Sequence, residues 1–316
     1  MTFTRRDLLK AGLLGFAGTA CRGVRAPADG ITGAIVGGAH RRGHRLRDGP
    51  PPPHVEPRER TGVAIVGGGM AGLSAAWALE RAGYHDFVLL ELEDAVGGTS
   101  RAGASAVTPY PWGAHYVPVP QPTNRPLVAL LEEVGAVSGR NGAGAPVYAE
   151  DVLCRDPQER VFYRGEWAEG LYPRAGATPA EIDELRAFER TMRELAGRRD
   201  SRGRRAFALP RVTGSDTDES RALDRGSMAD FLKDRAFNSS RLRWLVEYGC
   251  RDDFGATLTQ TSAWAGVHYF ASRMDAATGE AADFLTWPEG NGRLVRHLAG
   301  VAGQRVRAGC VVTRVE

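Results

Sequence analysis

The segment from Gly62 to Ser100, GVAIVGGGMAGLSAAWALERAGYHDFVLLELEDAVGGTS, leaves few folds open to this chain. A short apolar run, Val63-Ala64-Ile65-Val66, reads as a buried strand and leads straight into Gly67-Gly68-Gly69-Met70-Ala71-Gly72. The residues that follow, Leu73 to Ala82, have helical composition and spacing. Strand, glycine turn and helix in that order form a phosphate-binding crossover. Gly67 permits the tight turn, Gly69 lets backbone N–H groups reach a pyrophosphate, and Gly72 lets the helix lie close to the strand. Through Met70 and Ala71 the helix N-terminus faces the phosphates with unpaired N–H groups and a positive dipole end. A second strand, Phe87 to Leu90, ends in Glu91, which is placed to accept hydrogen bonds from the ribose hydroxyls of an adenine dinucleotide. With 40 glycines in the chain the glycine spacing alone is a weak signal. The flanking strand, helix, second strand and terminal acid make it a specific one.

Five residues beyond Glu91 comes Val96-Gly97-Gly98-Thr99-Ser100. An acid followed closely by a Gly-Gly pair resembles the entry signature of the flavin-containing amine oxidoreductase superfamily, which includes amine oxidases, protoporphyrinogen oxidases and phytoene desaturases. The resemblance implies FAD rather than NAD, with Gly97 and Gly98 passing close to the pyrophosphate and ribose. Many members carry Arg directly after the pair. Here that position is Thr99, and Arg101 is the candidate phosphate contact. Tyr110-Pro111-Trp112-Gly113-Ala114-His115-Tyr116 is similar to the family's stretch beside the flavin ring, which brings Gly113, Ala114 and His115 to the cofactor. Trp287-Pro288-Glu289-Gly290-Asn291-Gly292, a helix from Arg293 to Val301 and a strand from Cys310 to Val315 resemble the family's return to its FAD domain. Val312 there matches the Val whose backbone contacts the adenine.

The resemblance runs from about residue 61 to the end. It implies an α/β fold: a Rossmann-like FAD-binding domain with a parallel sheet, interleaved with a mixed α+β substrate domain. The implied activity is that of an FAD-dependent oxidoreductase acting on a C–N or C–C bond of a small organic substrate. A flavin-dependent isomerase or mutase, and a non-catalytic dinucleotide-binding scaffold, are the alternatives. Trp112, His115 and Tyr116 are expected near the ring, with His115 either a proton acceptor, the candidate catalytic residue, or a wall residue. Because the superfamily continues beyond the returning strand, the chain reads as C-terminally truncated, with a flavin pocket that binds FAD weakly or not at all by itself. The active-site lysine of many amine oxidases has no candidate, since the lysines are Lys10, in the leader, and Lys233, on an expected surface helix.

Thr4-Arg5-Arg6-Asp7-Leu8-Leu9-Lys10, followed by apolar residues to Gly18, has the layout of a twin-arginine export signal. It implies the twin-arginine machinery as a partner and a periplasmic or membrane-tethered product. The apolar run is too short and Gly-rich to span a bilayer. Gly18-Thr19-Ala20-Cys21 is a candidate lipoprotein processing site that would leave an anchor on Cys21. Loss of residues 1–20 removes Arg5, Arg6, Lys10 and Asp7, so 41 basic and 38 acidic side chains become 38 and 37. That near-neutral balance carries no footprint for nucleic acid. The Arg193–Arg205 cluster reads as a solvated helix end and loop. Cys154, Cys250 and Cys310 lack metal or disulfide spacing and are expected as buried thiols.

The expected organisation is a signal over 1–21, a Pro/Gly/Arg-rich linker over 22–60, FAD-binding segments over 61–125 and 285–316, and a substrate domain over 126–284. Ile31 to Gly37 is apolar enough to dock. His40 and His44, in Gly- and Arg-rich surroundings, are expected in an exposed loop rather than on a metal-binding helix, and no metal site is expected elsewhere. Helices are predicted over 126–134, from the capping box Thr178-Pro179-Ala180-Glu181 to about Gly197, from Ser227 through Phe237, and over 240–248. A hairpin is predicted over 152–163, turning at Asp156-Pro157-Gln158-Glu159. The segments 248–255 and 262–270 are dense in pocket-forming groups. They read either as a substrate wall using Asp252 or Asp253, or as a helix sending Trp264, Val267, His268 and Phe270 into the core.

Overall fold

The computed structural model describes residues 38–49, 59–154, 159–274 and 283–315. The export signal, Cys21, the 31–37 stretch and most of the predicted 156–159 turn lie outside the described residues. Two units are distinguished, Met1–Arg41 and Arg42–Glu316, and the architecture below is that of the second. Helix α1 (His40–Asp48) forms where a loop is expected. Arg45 and Arg47 lie in its last turn, where cations suit the helix dipole. Arg42 donates to the Leu92 carbonyl and pairs with Asp94 at 2.9 Å, a tether that propensity alone does not reveal. Among the described residues no group of three metal-ligating side chains exists.

Strands β1 (Val63–Val66) and β2 (Phe87–Leu90) pair in parallel, Val63 opposite Phe87 through Val66 opposite Leu90. The crossover between them is α2 (Met70–Arg81). A short β11 (Val306–Arg307) adds to the other side of β2, also parallel, giving the order β1-β2-β11. The returning strand therefore sits four residues before the predicted Cys310–Val315, which is irregular chain. The 3-10 turn Gly303–Arg305 after the helix brings Val306 directly against Leu89, so pairing begins at once. Leu73, Ala76 and Trp77 of α2 pack with Leu89 and with Leu298 and Ala302 of α8 (Gly292–Ala302). Glu133, closing α3 (Arg125–Glu133), accepts from Trp77 Nε1 and His297 Nε2 at 2.8 Å each and pairs with Arg81, so one carboxylate ties three helices.

The remaining helices build a second core. The helices α4 (Pro179–Gly197), α5 (Met228–Asp234), α6 (Ser240–Phe254) and α7 (Ala263–Ala271) bury Leu185, Phe188, Met192, Leu232, Leu242, Val246 and Val267. The Thr178/Glu181 and Ser227/Asp230 capping boxes are both formed. Thr178→Ala is expected to lower stability by about 1 kcal/mol in urea unfolding, by stranding the Glu181 N–H. Helix α6 runs one and a half turns past the predicted end and stops where Gly255 turns left-handed at φ +61°. The hairpin is displaced: β8 (Arg160–Tyr163) pairs with β9 (Glu166–Glu169) across Arg164-Gly165, while Leu153 bridges to Leu285 instead. Gly165 at φ +85° supplies the tight turn that the Asp-Pro pair was expected to make. Cys250 is buried, but Cys154 and Cys310 are only half-buried.

Candidate functional site

The site begins at the glycine turn. Gly67, at φ +98°, donates its N–H to the Leu90 carbonyl at 2.8 Å, binding the turn to the end of β2. A methyl group on Gly72 would lie 1.9 Å from the Gly67 carbonyl oxygen, so turn and helix meet only because that position has no side chain. A methyl on Gly69 would meet nothing within 4 Å, which leaves the mouth of the turn open. No side chain caps the α2 N-terminus at Gly69, so the N–H groups of Met70, Ala71 and Gly72 are the donors available there.

Glu91 is buried, with 7% of its surface exposed, and both carboxylate oxygens are engaged. Oε2 accepts the Gly68 N–H at 2.5 Å and Oε1 accepts the Glu93 N–H at 2.7 Å. A carboxylate offers about four lone-pair positions, so acceptor capacity for hydroxyls is left over. The Gly68 carbonyl in turn accepts the Gly97 N–H at 2.7 Å, and a methyl on Gly98 would stand 3.4 Å from Gly69 Cα. Turn, acid and second glycine pair thus form one continuous backbone cradle. An open mouth, uncapped N–H donors and a buried acid with spare lone pairs fit a diphosphate flanked by a ribose.

The next layer is strapped on through Thr99, whose carbonyl accepts the Ala114 N–H at 2.9 Å, while Arg101 accepts the Trp112 N–H at 3.1 Å. Ala114 then accepts the Asn291 N–H at 3.2 Å, Asn291 Nδ2 donates to the Tyr116 carbonyl, and Thr286 Oγ1 donates to the His115 carbonyl at 2.7 Å. The buried Asn291 Oδ1 has no hydrogen-bond partner among the described residues. His115 is exposed, its Nδ1 is 3.0 Å from the Gly113 carbonyl, and its ring meets Tyr116 edge-on at 5.1 Å. Donation from Nδ1 leaves Nε2 as the basic nitrogen.

Gly67, Gly69, Met70, Ala71, Gly72, Glu91, Gly97, Gly98, Gly113, Ala114 and His115 therefore converge. Arg101 has its side-chain stem beside Gly97 of the cradle and its guanidinium carbon 4.5 Å from the Trp112 ring centroid. Val312 sits in irregular chain beyond β11, tied to the cradle by the Cys310 N–H on the Glu91 carbonyl at 2.8 Å. Thr99, Thr286 and Asn291 escaped the sequence reading because they act largely through backbone atoms and follow no residue pattern. Gly68 was legible only as part of a glycine triplet.

A cavity of about 280 Å³ adjoins this strap. Strands β5 (Tyr116–Pro118) and β10 (Phe284–Thr286) pair antiparallel and present Tyr116 and Phe284, 4.6 Å apart between centroids, as one wall. Helix α7 and the turn after it supply Tyr269, Phe270 and Arg273. Arg273 donates to both Asp253 oxygens at 2.8 and 3.0 Å and stands 4.0 Å from the Tyr269 centroid. Burial raises the phenol pKa of Tyr116 and Tyr269, so both are neutral hydrogen-bonding walls. Burial first and the Asp252 charge second raise the Glu159 carboxyl, against the opposing pull of Arg273. Of the two readings of 262–270, α7 does both: Val267 is in the core and Tyr269 in the cavity, because they fall on different helix faces.

The sequence profile of the flavin containing amine oxidoreductases matches residues 70–316. Over 102 residues the chain is 32% identical to mitochondrial dimethylglycine dehydrogenase of Rattus norvegicus, covering 32% of this chain and 12% of that one. Among solved structures it is similar to the cyclohexylamine oxidase of Brevibacterium oxydans, with a TM-score of 0.51, 19% identity, and coverage of 79% of this chain and 51% of that one. A fatty acid isomerase from P. acnes gives a TM-score of 0.53 at 19% identity, with 80% and 52% coverage. These structural likenesses establish the α/β fold, and the chain spans about half the length of both solved proteins.

Proposed function

Since the chain belongs to the flavin-containing amine oxidoreductase family and its cofactor is FAD, we propose that it oxidises the C–N bond of a small organic amine. The observation that carries this reading is the single run of hydrogen bonds from the Gly67 turn through Thr99 and Ala114 to Tyr116, which joins a dinucleotide cradle to a small cavity with aromatic walls. About 280 Å³ lies at the lower end of small-molecule sites. It accommodates a compact amine.

The N–H groups at the α2 N-terminus would hold the diphosphate, and Glu91 a ribose, while the Thr99–Ala114 contact sets the height of the His115 strap. Bound FAD supplies a two-electron acceptor. The substrate's Cα–H bond breaks, a hydride equivalent leaves with both electrons, and the nitrogen lone pair closes a C=N bond. The amine must be neutral at that moment, and His115, whose ring meets the cavity wall at Tyr116, is the candidate acceptor of its proton through Nε2. His115→Gln is expected to slow anaerobic flavin reduction by about 10²-fold at unchanged FAD affinity. An unchanged rate assigns His115 to the wall. The reading as a whole is tested by adding amines anaerobically to the FAD-bound protein. Lasting loss of the flavin's visible absorbance supports it. A rearranged product with oxidised flavin supports an isomerase, and no response to any amine defeats it.

Export by the twin-arginine route, with a lipid anchor on Cys21, is proposed on the leader sequence alone. It is consistent with a flavoprotein that takes up its cofactor before crossing the membrane. Among the described residues no helix is long and apolar enough to cross a membrane.

A further inference from the structure

The cavity beside Tyr116 contains an electrostatic imbalance. Of the two arginines that line it among the described residues, Arg174 and Arg273, the second is matched by Asp253 through two hydrogen bonds. Glu159, at the rim where β8 begins, has no hydrogen bond or ion pair to its carboxylate among the described residues, and only its backbone carbonyl is used, by the Gly170 N–H at 2.8 Å. Its charge is felt at Tyr116 and at Tyr248 of α6. Aromatic rings from three elements, Tyr116, Phe284 and Tyr269, line the same cavity. Aromatic walls of this kind accept an apolar body and tolerate a neighbouring cation. A neutral guest would leave the Glu159 charge unmatched in partly desolvated surroundings. An anionic guest would face Glu159 together with the neighbouring Glu169 and Glu189.

We propose that Glu159 determines the charge specificity of this cavity, acting as counter-ion to the single ammonium of a guest whose apolar body lies against the wall formed by Tyr116 and Phe284 and beside Tyr269. The inference rests on reading the cavity as the substrate site of the flavoenzyme. It goes further by naming the residue that selects a monocation with a compact apolar remainder. Glu159 is a specificity residue and takes no part in breaking bonds.

The charged and titratable groups around it are Asp252 and Asp253 of α6, Arg273 after α7, Glu169 at the end of β9, Arg174 beyond it, Glu189 of α4, and the phenols of Tyr116, Tyr248 and Tyr269. Burial first and Asp252 second push the Glu159 carboxyl above the usual glutamate range, against the pull of Arg273. The counter-ion is therefore lost as pH falls through a value above that of an ordinary glutamate.

The test is calorimetric titration of the full chain, first with FAD and then with benzylammonium and its uncharged counterpart benzyl alcohol. Benzylammonium is expected to bind at least tenfold more tightly than the alcohol, with affinity falling toward acid pH. Glu159→Gln, at an exposed position with no side-chain hydrogen bond to lose, is expected to fold normally, erase the tenfold preference and flatten the pH dependence. Glu169→Gln is expected to keep both. Equal affinity of the unaltered chain for the two compounds, a Glu159→Gln variant that still prefers the cation, or no binding of benzylammonium by FAD-loaded protein would each overturn the proposal. Failure of FAD itself to bind would instead refute the flavoenzyme reading, and the two failures are separate measurements.

Discussion

Replacement of Gly72 by alanine is expected to abolish FAD retention and to destabilise the fold. The added methyl would be 1.9 Å from the Gly67 carbonyl oxygen, 3.0 Å from its carbon and 3.3 Å from Ile65 Cγ2. Two of those neighbours are backbone, so no side-chain rotation relieves the clash, and α2 must move away from β1. Overpacking of this kind costs about 1–3 kcal/mol. The larger effect falls on the ligand, because displacement of α2 carries the Met70, Ala71 and Gly72 N–H groups out of register with the diphosphate. FAD titration followed by flavin fluorescence should show affinity reduced by at least 100-fold, and urea unfolding should show the lower midpoint. Native FAD affinity in Gly72→Ala would mean that the glycine turn does not hold the cofactor.

Glu91→Gln is the second large effect, and its logic is the number of donors. Both Glu91 oxygens accept backbone N–H groups, from Gly68 and from Glu93. A glutamine has one oxygen and one NH2 group, so whichever way the amide is turned, NH2 faces an N–H donor in a buried place. Leaving a buried backbone donor unmatched costs about 1–3 kcal/mol, and the ribose loses its acceptor as well. The expected result is a drop in unfolding free energy of that size with FAD affinity weakened by one to two orders of magnitude. Glu91→Gln with unchanged stability would show that the two short hydrogen bonds contribute nothing.

Legibility in the sequence followed how local each signal is. The β1–α2–β2 unit could be read because apolar runs, glycines and the terminal acid all lie within thirty residues and each obeys a nearest-neighbour rule. The Thr178 and Ser227 capping boxes could be read for the same reason. The 152–163 hairpin was misplaced because Asp156-Pro157 is a good turn signal in isolation, while Arg164-Gly165 adopts positive φ at both residues and captures the pairing. Helix α1 was missed because what anchors it, Arg42 on Leu92 and Asp94, lies fifty residues away. The cavity was visible only in outline: 262–270 looked rich in aromatic groups, but Glu159 and Phe284 reach the same space from segments that nothing in the sequence connects. That Arg101 stacks on Trp112 was not legible either, since the two meet only where β3 (Ala102–Ala104) and β4 (Pro109–Pro111) pair.

The hydrogen bond from Gly68 to Glu91 has a further consequence. It ties the turn to the acid through protein atoms, so two of the surfaces that would meet the diphosphate and the ribose hold a fixed separation. Ordering of these groups is settled during folding and need not be repeated at each encounter, which raises affinity without adding a contact. Association at this end of the dinucleotide should accordingly resemble a rigid fit, with little slow rearrangement after the first collision.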